Sequence, residues 1–395
     1  MATPPASGGF LVDFDLTDDE MAFDEEVKQF VDDFIAPNLA QWHNERAIPR
    51  EYWQELGKRG WLLVHKDGDE WVEQPMMKLA IMYDRISELS PGAGIAAFAN
   101  NQLGVYAPYT WGSEHIRNRW IEPASRGEKI ISFCNTEPSA GSDVKNIQTQ
   151  AKLDGEEWVL SGRKMYITNA VEADALVVSA VSDPLNDDPR RGQTLFIIDS
   201  DTPGVKVRGL KKIVWEPASL AFIQLDNVRV PKEQILGDLN EGFDYTMATF
   251  TNGRIGVAAM TMGTATGALR LAHQRAKRRR IYGTTLWEIR SKRHEFGDMA
   301  IIAEAGRLLY RKAAWLRDNG RDFKMAASMA KLYATEKAKE LTMWAAYLHG
   351  GSGVLVENRI HRYPLDAWAS AMGEGAPEVQ RLLIARSFDD WIEKF

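Results

Sequence analysis

The chain has 395 residues and a formal net charge of −7 at pH 7. A chain of this length usually forms more than one hydrophobic core, so two or three domains are expected. The acidic balance argues against a protein that binds nucleic acid or inserts into an anionic membrane. The single cysteine, Cys134, excludes a disulfide framework and a zinc site built from thiolates. A reducing compartment and a cytoplasmic location are therefore expected, with Cys134 acting as a small buried hydrophobe.

The first 128 residues show the apolar periodicity of helices. Thr17 and Glu20 form a capping-box pattern at the start of the first predicted helix, and Pro37 is expected to break or bend that helix. Further helices are predicted over residues 76–89, 92–109 and 113–126. We interpret residues 1–128 as an N-terminal α-helical domain.

After residue 129 the apolar period shortens to that of β-strands. Turn signals built on Gly, Pro and Asp separate short β-rich runs. These runs are 157–160, 175–180, 194–198, 205–207 and 220–230. They favour a small antiparallel sheet or barrel, and we assign residues 129–240 to a central β domain.

Helical periodicity returns at residue 241 and continues to the end of the chain. The predicted helices are 243–280, 287–318, 322–348 and 377–394. An α–β–α order with short connections is typical of a helical bundle interrupted by a β domain. The prediction is therefore an α+β fold that is mostly α, with residues 241–395 as a C-terminal helical bundle.

Residues 130–143 join the helical and the β half of the chain. A strand-like start runs into a turn rich in Ser, Gly, Pro and Asp. A turn of this kind can direct several N–H and hydroxyl donors at one anionic or carbonyl-rich ligand. An ordinary hydroxyl-rich loop after a strand explains the same residues, so both readings stand at this point.

Glu374 is the candidate for acid–base chemistry. It lies between Gly373 and Gly375, just before a predicted helix, so its carboxyl group can be directed into a cleft. Desolvation by the neighbouring Trp368 and Met372 would raise its pKa towards that of a general base. The alternative is a solvated loop glutamate at a helix start.

Three further features each have a functional and a structural reading. The basic run 277–280 suits a phosphate ligand, and it also suits the negative end of a helix dipole. The glycines in 346–353 allow a ligand to approach the backbone, and they also serve as a helix C-cap. Arg254 is either a buried cation that needs a carboxylate or a surface residue. We find no metal-ligand spacing, nucleophile elbow, Walker loop or dinucleotide-binding glycine motif.

Seven segments, taken together, resemble the acyl-CoA dehydrogenase family along nearly the whole chain. They occur in the order found in that family. They are Thr-Glu-Pro-Ser-Ala-Gly-Ser-Asp (136–143), Gly-Arg-Lys-Met-Tyr-Ile-Thr-Asn (162–169), Asp-Asn-Val-Arg-Val-Pro (226–231), Gly-Arg-Ile-Gly-Val-Ala-Ala (253–259), Arg-Arg-Ile-Tyr-Gly (279–283), His-Gly-Gly (349–351) and Glu-Gly-Ala-Pro-Glu-Val-Gln-Arg (374–381). Each is weak alone, but seven in order are a strong signal.

The resemblance implies an N-terminal α domain, a central β domain and a C-terminal four-helix bundle, assembled as a homotetramer with FAD near a subunit interface. It also implies that Glu374 removes the α-proton of an acyl-CoA while hydride leaves Cβ for flavin N5. The product would be the trans-2-enoyl-CoA, and an electron-transfer flavoprotein would accept the electrons. Some relatives carry their base just before the Arg254 position. That position is Gly253 here, which favours Glu374.

The resemblance also implies which residues bind each ligand. Arg279 would reach the FAD pyrophosphate of a neighbouring subunit, and the corner 347–351 would close over the cofactor. The residues expected at FAD are Phe133, Asn135, Thr136, Ser142, Tyr166, Thr168, Arg279, Tyr282, Arg290, Tyr347, Leu348, Gly350, Gly351, Ala376 and Glu378. Those expected at the substrate are Ser142, Arg254 and Gly375. No metal is expected.

Several positions depart from the family pattern. Tyr166 replaces a tryptophan, Arg290 a glutamine and Ala376 a threonine, and Leu365 replaces the arginine of an Arg-Asp pair. The family's Tyr-Gly-Gly loop is replaced by residues 64–71. Three alternatives on the same scaffold stay open: a flavin monooxygenase, a non-redox or desulfinating thioester enzyme, and a dehydrogenase of acyl groups on a carrier protein.

Overall fold

The N-terminal helices begin where the sequence places a cap. The structure is a computed structural model that describes residues 15–393. The Glu20 amide donates to Thr17 Oγ1 at 3.2 Å, and the Thr17 amide donates to Glu20 Oε2 at 2.9 Å, so the capping box is present. Pro37 does not end the helix. A π-helical turn at Val31–Ile35 precedes it, and the chain continues helically to Glu45.

Helices dominate residues 18–125, as predicted. They are α1 (Asp18–Phe30), α2 (Ala36–Glu45), α3 (Arg50–Lys58), α4 (Met76–Leu89), α5 (Pro91–Phe98), α6 (Tyr106–Trp111), α7 (Glu114–Ile116) and α8 (Glu122–Ser125). Further π-helical turns, Ala99–Val105 and Arg117–Ile121, join α5 to α6 and α7 to α8. The sequence analysis missed a hairpin, β1 (Val64–Asp67) and β2 (Glu70–Glu73), which occupies the segment that departs from the family pattern.

The central sheet is mainly antiparallel. Its strands are β3 (Ile131–Cys134), β4 (Gln150–Asp154), β5 (Glu157–Thr168), β6 (Ala175–Val181), β7 (Gln193–Asp199), β8 (Val205–Gly209), β9 (Leu220–Pro231) and β10 (Ile235–Leu236). The strand order is β10-β7-β6-β4-β5-β9-β8. The prediction of an antiparallel sheet is only partly correct, because β3 and β6 pair in parallel. Parallel neighbours need a crossover connection, and residues 135–174 supply it.

Strand β6 is buried on both faces. Ala175 and Val177 belong to the core shared with the helices, whereas Leu176 and Val178 belong to the interior of the sheet domain. Successive strand residues point to opposite faces, which explains this alternation. Cys134 lies in the second core, fully buried, and burial raises its thiol pKa to about 12. It is the small hydrophobe that the sequence predicts.

The C-terminal part begins with three long helices. Its elements are α9 (Gly242–Arg278), β11 (Arg280–Ile281), β12 (Thr284–Thr285), α10 (Arg290–Asp318), α11 (Lys324–His349), α12 (Arg362–Ser370), α13 (Pro377–Arg386) and α14 (Phe388–Ile392). The sequence analysis missed α12. The helix predicted over 377–394 is two helices that meet at Ser387, and residue 394 lies outside the described residues. Within residues 15–393, every helix is too short or too polar to cross a membrane.

Candidate active site

Glu374 lies on a tight corner between α12 and α13. Its φ of 55° and that of Gly375, 92°, are both in the left-handed region, which costs a non-glycine residue energy. Two buried side chains hold the corner. Lys331 Nζ on α11 donates to the carbonyls of Ala371 at 2.8 Å and Gly375 at 2.7 Å. Gln380 Nε2 on α13 donates to the carbonyls of Glu374 at 2.8 Å and Gly375 at 3.0 Å.

The Glu374 carboxyl group is buried although the residue as a whole is partly exposed. Oε2 is out of contact with solvent and has no hydrogen-bond partner within residues 15–393. It lies 3.2 Å from the point that a Cβ on Gly253 would occupy, and Phe98 Cζ lies 3.4 Å from the same point. Trp368 and Met372 are each about half exposed, at 48% and 55%. Phe98, which the sequence analysis did not single out, is the apolar side chain found beside the carboxyl group.

Burial sets the protonation behaviour of Glu374. Desolvation disfavours the carboxylate and raises the pKa of Glu374 to about 7, while the positive charges of Arg254 and Lys331 act in the opposite direction. A group with this pKa can accept a proton near neutral pH and can release it again. The buried position and the raised pKa of Glu374 make it a candidate general base.

The sequence left open whether Arg254 is a buried cation or a surface residue. The structure shows that it is buried. Only 3% of its surface is exposed, and its Nη1 donates to Thr251 Oγ1 at 3.3 Å. Its Nε is buried and has no partner within residues 15–393. Burial lowers the pKa of Arg254 and the charge of Glu374 raises it, so the two side chains are electrostatic neighbours. Arg254 follows Gly253 on α9, and the Glu374 carboxyl group reaches α9 beside Gly253 from the corner between α12 and α13.

A second group of predicted residues meets where β3 runs beside β5. The Met165 amide donates to the Thr136 carbonyl at 2.8 Å, and Ser132 Oγ donates to the Thr168 carbonyl at 2.9 Å. These bonds bring together the residues predicted to face the flavin ring. They are Phe133, Asn135, Thr136, Tyr166 and Thr168.

Tyr166 projects from an irregularity in β5. The pairing of β5 with β9 shifts register between Lys164 and Ile167, and Tyr166 has a φ of 61°. A bulge of this kind redirects a side chain away from its normal face. Tyr166 is 63% exposed and thus offers an aromatic surface to a ligand. Ser142 is also exposed, on the loop that follows β3.

A buried ion pair that the sequence analysis missed supports this surface. Lys164 Nζ donates to Glu137 Oε1 at 2.8 Å, to the Asn135 carbonyl at 3.1 Å and to Ser179 Oγ at 3.2 Å. Glu137 Oε1 also accepts from the amide of Thr149 at 2.9 Å and from its hydroxyl at 2.6 Å. Lys164 is fully buried. The pair therefore fixes the loop that follows β3 to strand β5, two residues before Tyr166.

Replacing Lys164 with methionine is expected to lower the free energy of unfolding by about 3–5 kcal/mol, because it leaves the buried Glu137 charge unpaired. Chemical denaturation of the purified protein measures this change. The double variant K164M/E137Q is expected to recover part of the loss. A cost below about 1 kcal/mol for K164M, typical of an exposed ion pair, would contradict the buried pairing.

Seven of the other predicted cofactor residues lie at the far end of the long helices, where α9 ends, α10 begins and α11 ends. His273 contacts Trp287 and Phe296, and Phe296 contacts Trp344, so these rings join the end of α9, the start of α10 and the end of α11 there. The residues at this end are Arg279, Tyr282, Arg290, Tyr347, Leu348, Gly350 and Gly351. Tyr282 is 95% exposed and Tyr347 79%.

These residues do not join Glu374 within one chain. Lys331, which touches the Glu374 corner, lies 18 residues before His349 on the same helix, a span of about 27 Å at the α-helical rise. The side chains of Arg279 and Arg290 form no ion pair within residues 15–393. Ala376 and Glu378, by contrast, lie at the start of α13, next to the corner. The predicted residues thus form three groups: one at the Glu374 corner, one beside β3 and β5, and one at the far end of the long helices.

Known proteins share this arrangement of domains. The profiles described as acyl-CoA dehydrogenase N-terminal, middle and C-terminal domain match residues 17–128, 132–228 and 240–388. The short-chain specific acyl-CoA dehydrogenase of mouse mitochondria is 34% identical over 91% of this chain and 87% of that protein.

Solved structures of acyl-CoA dehydrogenases have the same fold as this chain. Butyryl-CoA dehydrogenase from Megasphaera elsdenii superposes with a TM-score of 0.90 at 29% identity, covering 95% of this chain and 99% of that one. Glutaryl-CoA dehydrogenase from Mycobacterium smegmatis, in complex with FADH2, gives 0.88 at 26% identity, covering 94% and 95%. The chain therefore belongs to the acyl-CoA dehydrogenase family and is an oxidoreductase that uses FAD.

Proposed function

We propose that this enzyme converts a saturated acyl-CoA thioester to the trans-2-enoyl-CoA, with Glu374 as the base that removes the α-proton. The observation that carries the proposal is the Glu374 carboxyl group itself. Its Oε2 is buried, lacks a hydrogen-bond partner within residues 15–393 and belongs to a group whose pKa is raised to about 7. A free acceptor of this basicity suits an incoming C–H proton.

The corner offers a donor as well as a base. The backbone N–H of Glu374 donates to no acceptor within residues 15–393, and we assign it to the thioester carbonyl. A hydrogen bond at that oxygen would stabilise the negative charge that develops as the α-proton leaves. Arg254 and Gly375 lie beside the same space, and we keep both as substrate residues together with Ser142.

The residues on β3 and β5 fit the flavin of FAD. Asn135 Nδ2 is buried without a partner in the described part of the chain, and the exposed Tyr166 offers a ring face. An unpaired buried amide donor and an aromatic surface suit a planar heterocycle with hydrogen-bonding edges. FAD, when bound, supplies the acceptor for the hydride that leaves Cβ. Phe133, Thr136 and Thr168 would complete this surface.

A second copy of the chain would complete the cofactor site. Arg279 and Arg290 form no ion pair within residues 15–393. Arg279 directly follows α9, whose last residue, Arg278, is 25 residues or about 37 Å along the helix from Gly253 beside the Glu374 carboxyl group. We propose that Arg279 and Arg290 bind the FAD of a neighbouring subunit in a homotetramer, together with Tyr282 and the corner 347–351. An electron-transfer flavoprotein as acceptor and a cytoplasmic location belong to the same proposal.

We further propose that the acyl group is short. Phe98 stacks edge-on against Tyr83 with ring centroids 5.9 Å apart, and both rings are buried. A Cβ on Gly256 would lie 2.6 Å from Phe98 Cδ2, so the ring fills the space beside α9 next to Glu374. Little room is left there for a long chain. The relatives named for short-chain acyl-CoA and butyryl-CoA support this assignment.

The rate of α-proton removal is expected to rise with pH through about 7. The raised pKa of Glu374 means that the carboxyl group is protonated, and inactive as a base, below that pH. The ionised base accumulates above it. Measuring the maximal rate of flavin reduction under single-turnover conditions from pH 5.5 to 9 gives the midpoint. A midpoint near the ordinary value for glutamate, about 4.3, would contradict the buried environment.

Product analysis tests the proposed reaction. The FAD-loaded enzyme is incubated with butyryl-CoA and an artificial electron acceptor, and the products are identified by mass spectrometry. We expect an enoyl-CoA that has lost two hydrogens. Incorporation of oxygen from O₂ would indicate the monooxygenase alternative. Consumption of the thioester without any oxidation would indicate the non-redox alternative.

A further inference from the structure

We propose that Lys331 is a positioning residue, which fixes the corner that carries Glu374 and stabilises the ionised form of that carboxyl group through its charge. The assignment rests on the proposed role of Glu374 as the base. Sequence reasoning gave no reason to select Lys331, because it lies in the middle of a long helix, 43 residues before Glu374.

The geometry ties Lys331 to both sides of the base. It is fully buried, and its ammonium group bridges the carbonyl of Ala371, just after α12, and the carbonyl of Gly375, just before α13. Residues 372–374 are held between these two anchor points. Since Glu374 itself has a left-handed backbone, the corner needs such anchors to keep its carboxyl group directed at α9.

Lys331 contributes a positive charge in addition to the hydrogen bonds that anchor the corner. Burying an ammonium group costs several kcal/mol unless a carboxylate compensates for it. Lys331 forms no salt bridge with any carboxylate in residues 15–393, and its acceptors are two neutral carbonyls. Gln380 anchors the carbonyls of Glu374 and Gly375 with a neutral amide. A neutral donor thus makes the same kind of contact at this corner, and we assign the positive charge at position 331 a role beyond anchoring.

Electrostatics indicates what that role is. The groups that act on Glu374 are Arg254 from α9 and Lys331 from α11, and both favour its carboxylate. The groups that act on Lys331 are Glu374, Arg254, Glu336 and Lys339, and among the charges the effect of Glu374 is the largest. Burial lowers the pKa of Lys331 to about 8, so it stays mainly charged at neutral pH. Without this charge, burial would protonate Glu374 over a wider pH range.

Exchange of the substrate α-hydrogen tests the assignment without requiring hydride transfer. The holoenzyme is incubated in D₂O with an acyl-CoA analogue in which sulfur replaces the β-carbon, so that no hydride can leave. NMR then follows deuterium incorporation at the α-carbon from pH 5.5 to 9. The variants are K331M, which removes both donor and charge, K331Q, which keeps a donor, and K331R, which keeps the charge. K337M on the same helix is the control, since the Lys337 side chain is 44% exposed and its ion pair within residues 15–393 is with Glu340.

We expect the midpoint for exchange to rise by about one pH unit in K331M and in K331Q, and to stay near the wild-type value in K331R and K337M. The maximal rate should fall about tenfold or more in K331M and less in K331Q, because glutamine still anchors the corner. Variants whose rate falls while the midpoint stays unchanged would contradict the charge role. Absence of exchange in the wild-type enzyme would overturn the base role of Glu374 itself, and with it this assignment. Melting curves and FAD content identify variants that fail to fold.

Discussion

Replacing Glu374 with glutamine is expected to slow the reduction of bound FAD by acyl-CoA about a thousandfold or more. General-base catalysis typically accounts for a factor of about 10²–10⁴. Glutamine has nearly the same shape, and the contacts that hold the corner come from Lys331 and Gln380 to backbone carbonyls. The corner should therefore keep its conformation while the proton acceptor is lost. Stopped-flow absorbance under anaerobic conditions measures the rate.

Glu340→Gln is the matched control for this experiment. Glu340 is an exposed glutamate on α11 that forms an ion pair, within residues 15–393, with Lys337. We expect E340Q to reduce FAD at the wild-type rate. Both variants should retain FAD and melt within a few degrees of the wild-type protein. A Glu374→Gln enzyme that reduces FAD within tenfold of the wild-type rate would exclude Glu374 as the base.

Substituting Gly253 with alanine is expected to lower the same rate by about 10–100-fold without unfolding the protein. The added Cβ would lie 3.2 Å from Glu374 Oε2, 3.3 Å from Glu374 Cδ and 3.4 Å from Phe98 Cζ. Contacts this tight force the carboxyl group or the ring to move by a few tenths of an ångström or more. Displacement of a reacting group by about 1 Å can cost about 10²-fold in rate.

Gly297→Ala separates this effect from the general effect of alanine in a helix. Gly297 lies within α10, and a Cβ there meets no atom within 4 Å. Alanine should stabilise the helix slightly at that position and leave the rate unchanged. Equal rates for G253A, G297A and the wild-type enzyme would mean that the space next to Gly253 does not hold the reacting carboxyl group.

Gly253 also connects the geometry with the resemblance. Relatives that carry their base just before the Arg254 position would direct that side chain from Gly253 Cα into the space that the Glu374 carboxyl group occupies here. A base at position 253 and the proposed base at position 374 would therefore place their carboxyl groups at the same point next to α9, although they come from different parts of the chain. This contact is in keeping with the proposal that Glu374 is the base in a chain that has glycine at 253.

Local patterns were sufficient to predict most of the fold. The capping box at Thr17, the helix 76–89 and the three long C-terminal helices follow from apolar periodicity and caps. The β1–β2 hairpin was missed because its strands are short and polar, and they do not alternate clearly. The parallel pairing of β3 with β6 depends on contacts between distant residues. The domain boundaries after residues 128 and 240 stay predictions.

The candidate site could be predicted only where a residue has a local signal. Glu374 is marked by its flanking glycines, and Tyr166 by its motif. Lys331 carries no such signal, and the motif that contains both Lys164 and Tyr166 does not mark Lys164 as half of a buried ion pair. The roles of both lysines arise from carbonyls and carboxylates that lie far away in sequence. Phe98 was missed for the same reason, since it resembles any apolar helix residue until α9 is packed against it.

Anaerobic mixing of the FAD-loaded enzyme with saturated acyl-CoAs of increasing chain length tests the central claim most directly. We predict that butyryl-CoA bleaches the flavin absorbance in a single turnover, with one enoyl-CoA formed per flavin reduced. Longer chains should bleach it more slowly, because Phe98 and Tyr83 restrict the space beside Glu374. A flavin that stays bound and oxidised with every thioester in the series would contradict the proposal that this enzyme dehydrogenates acyl-CoA.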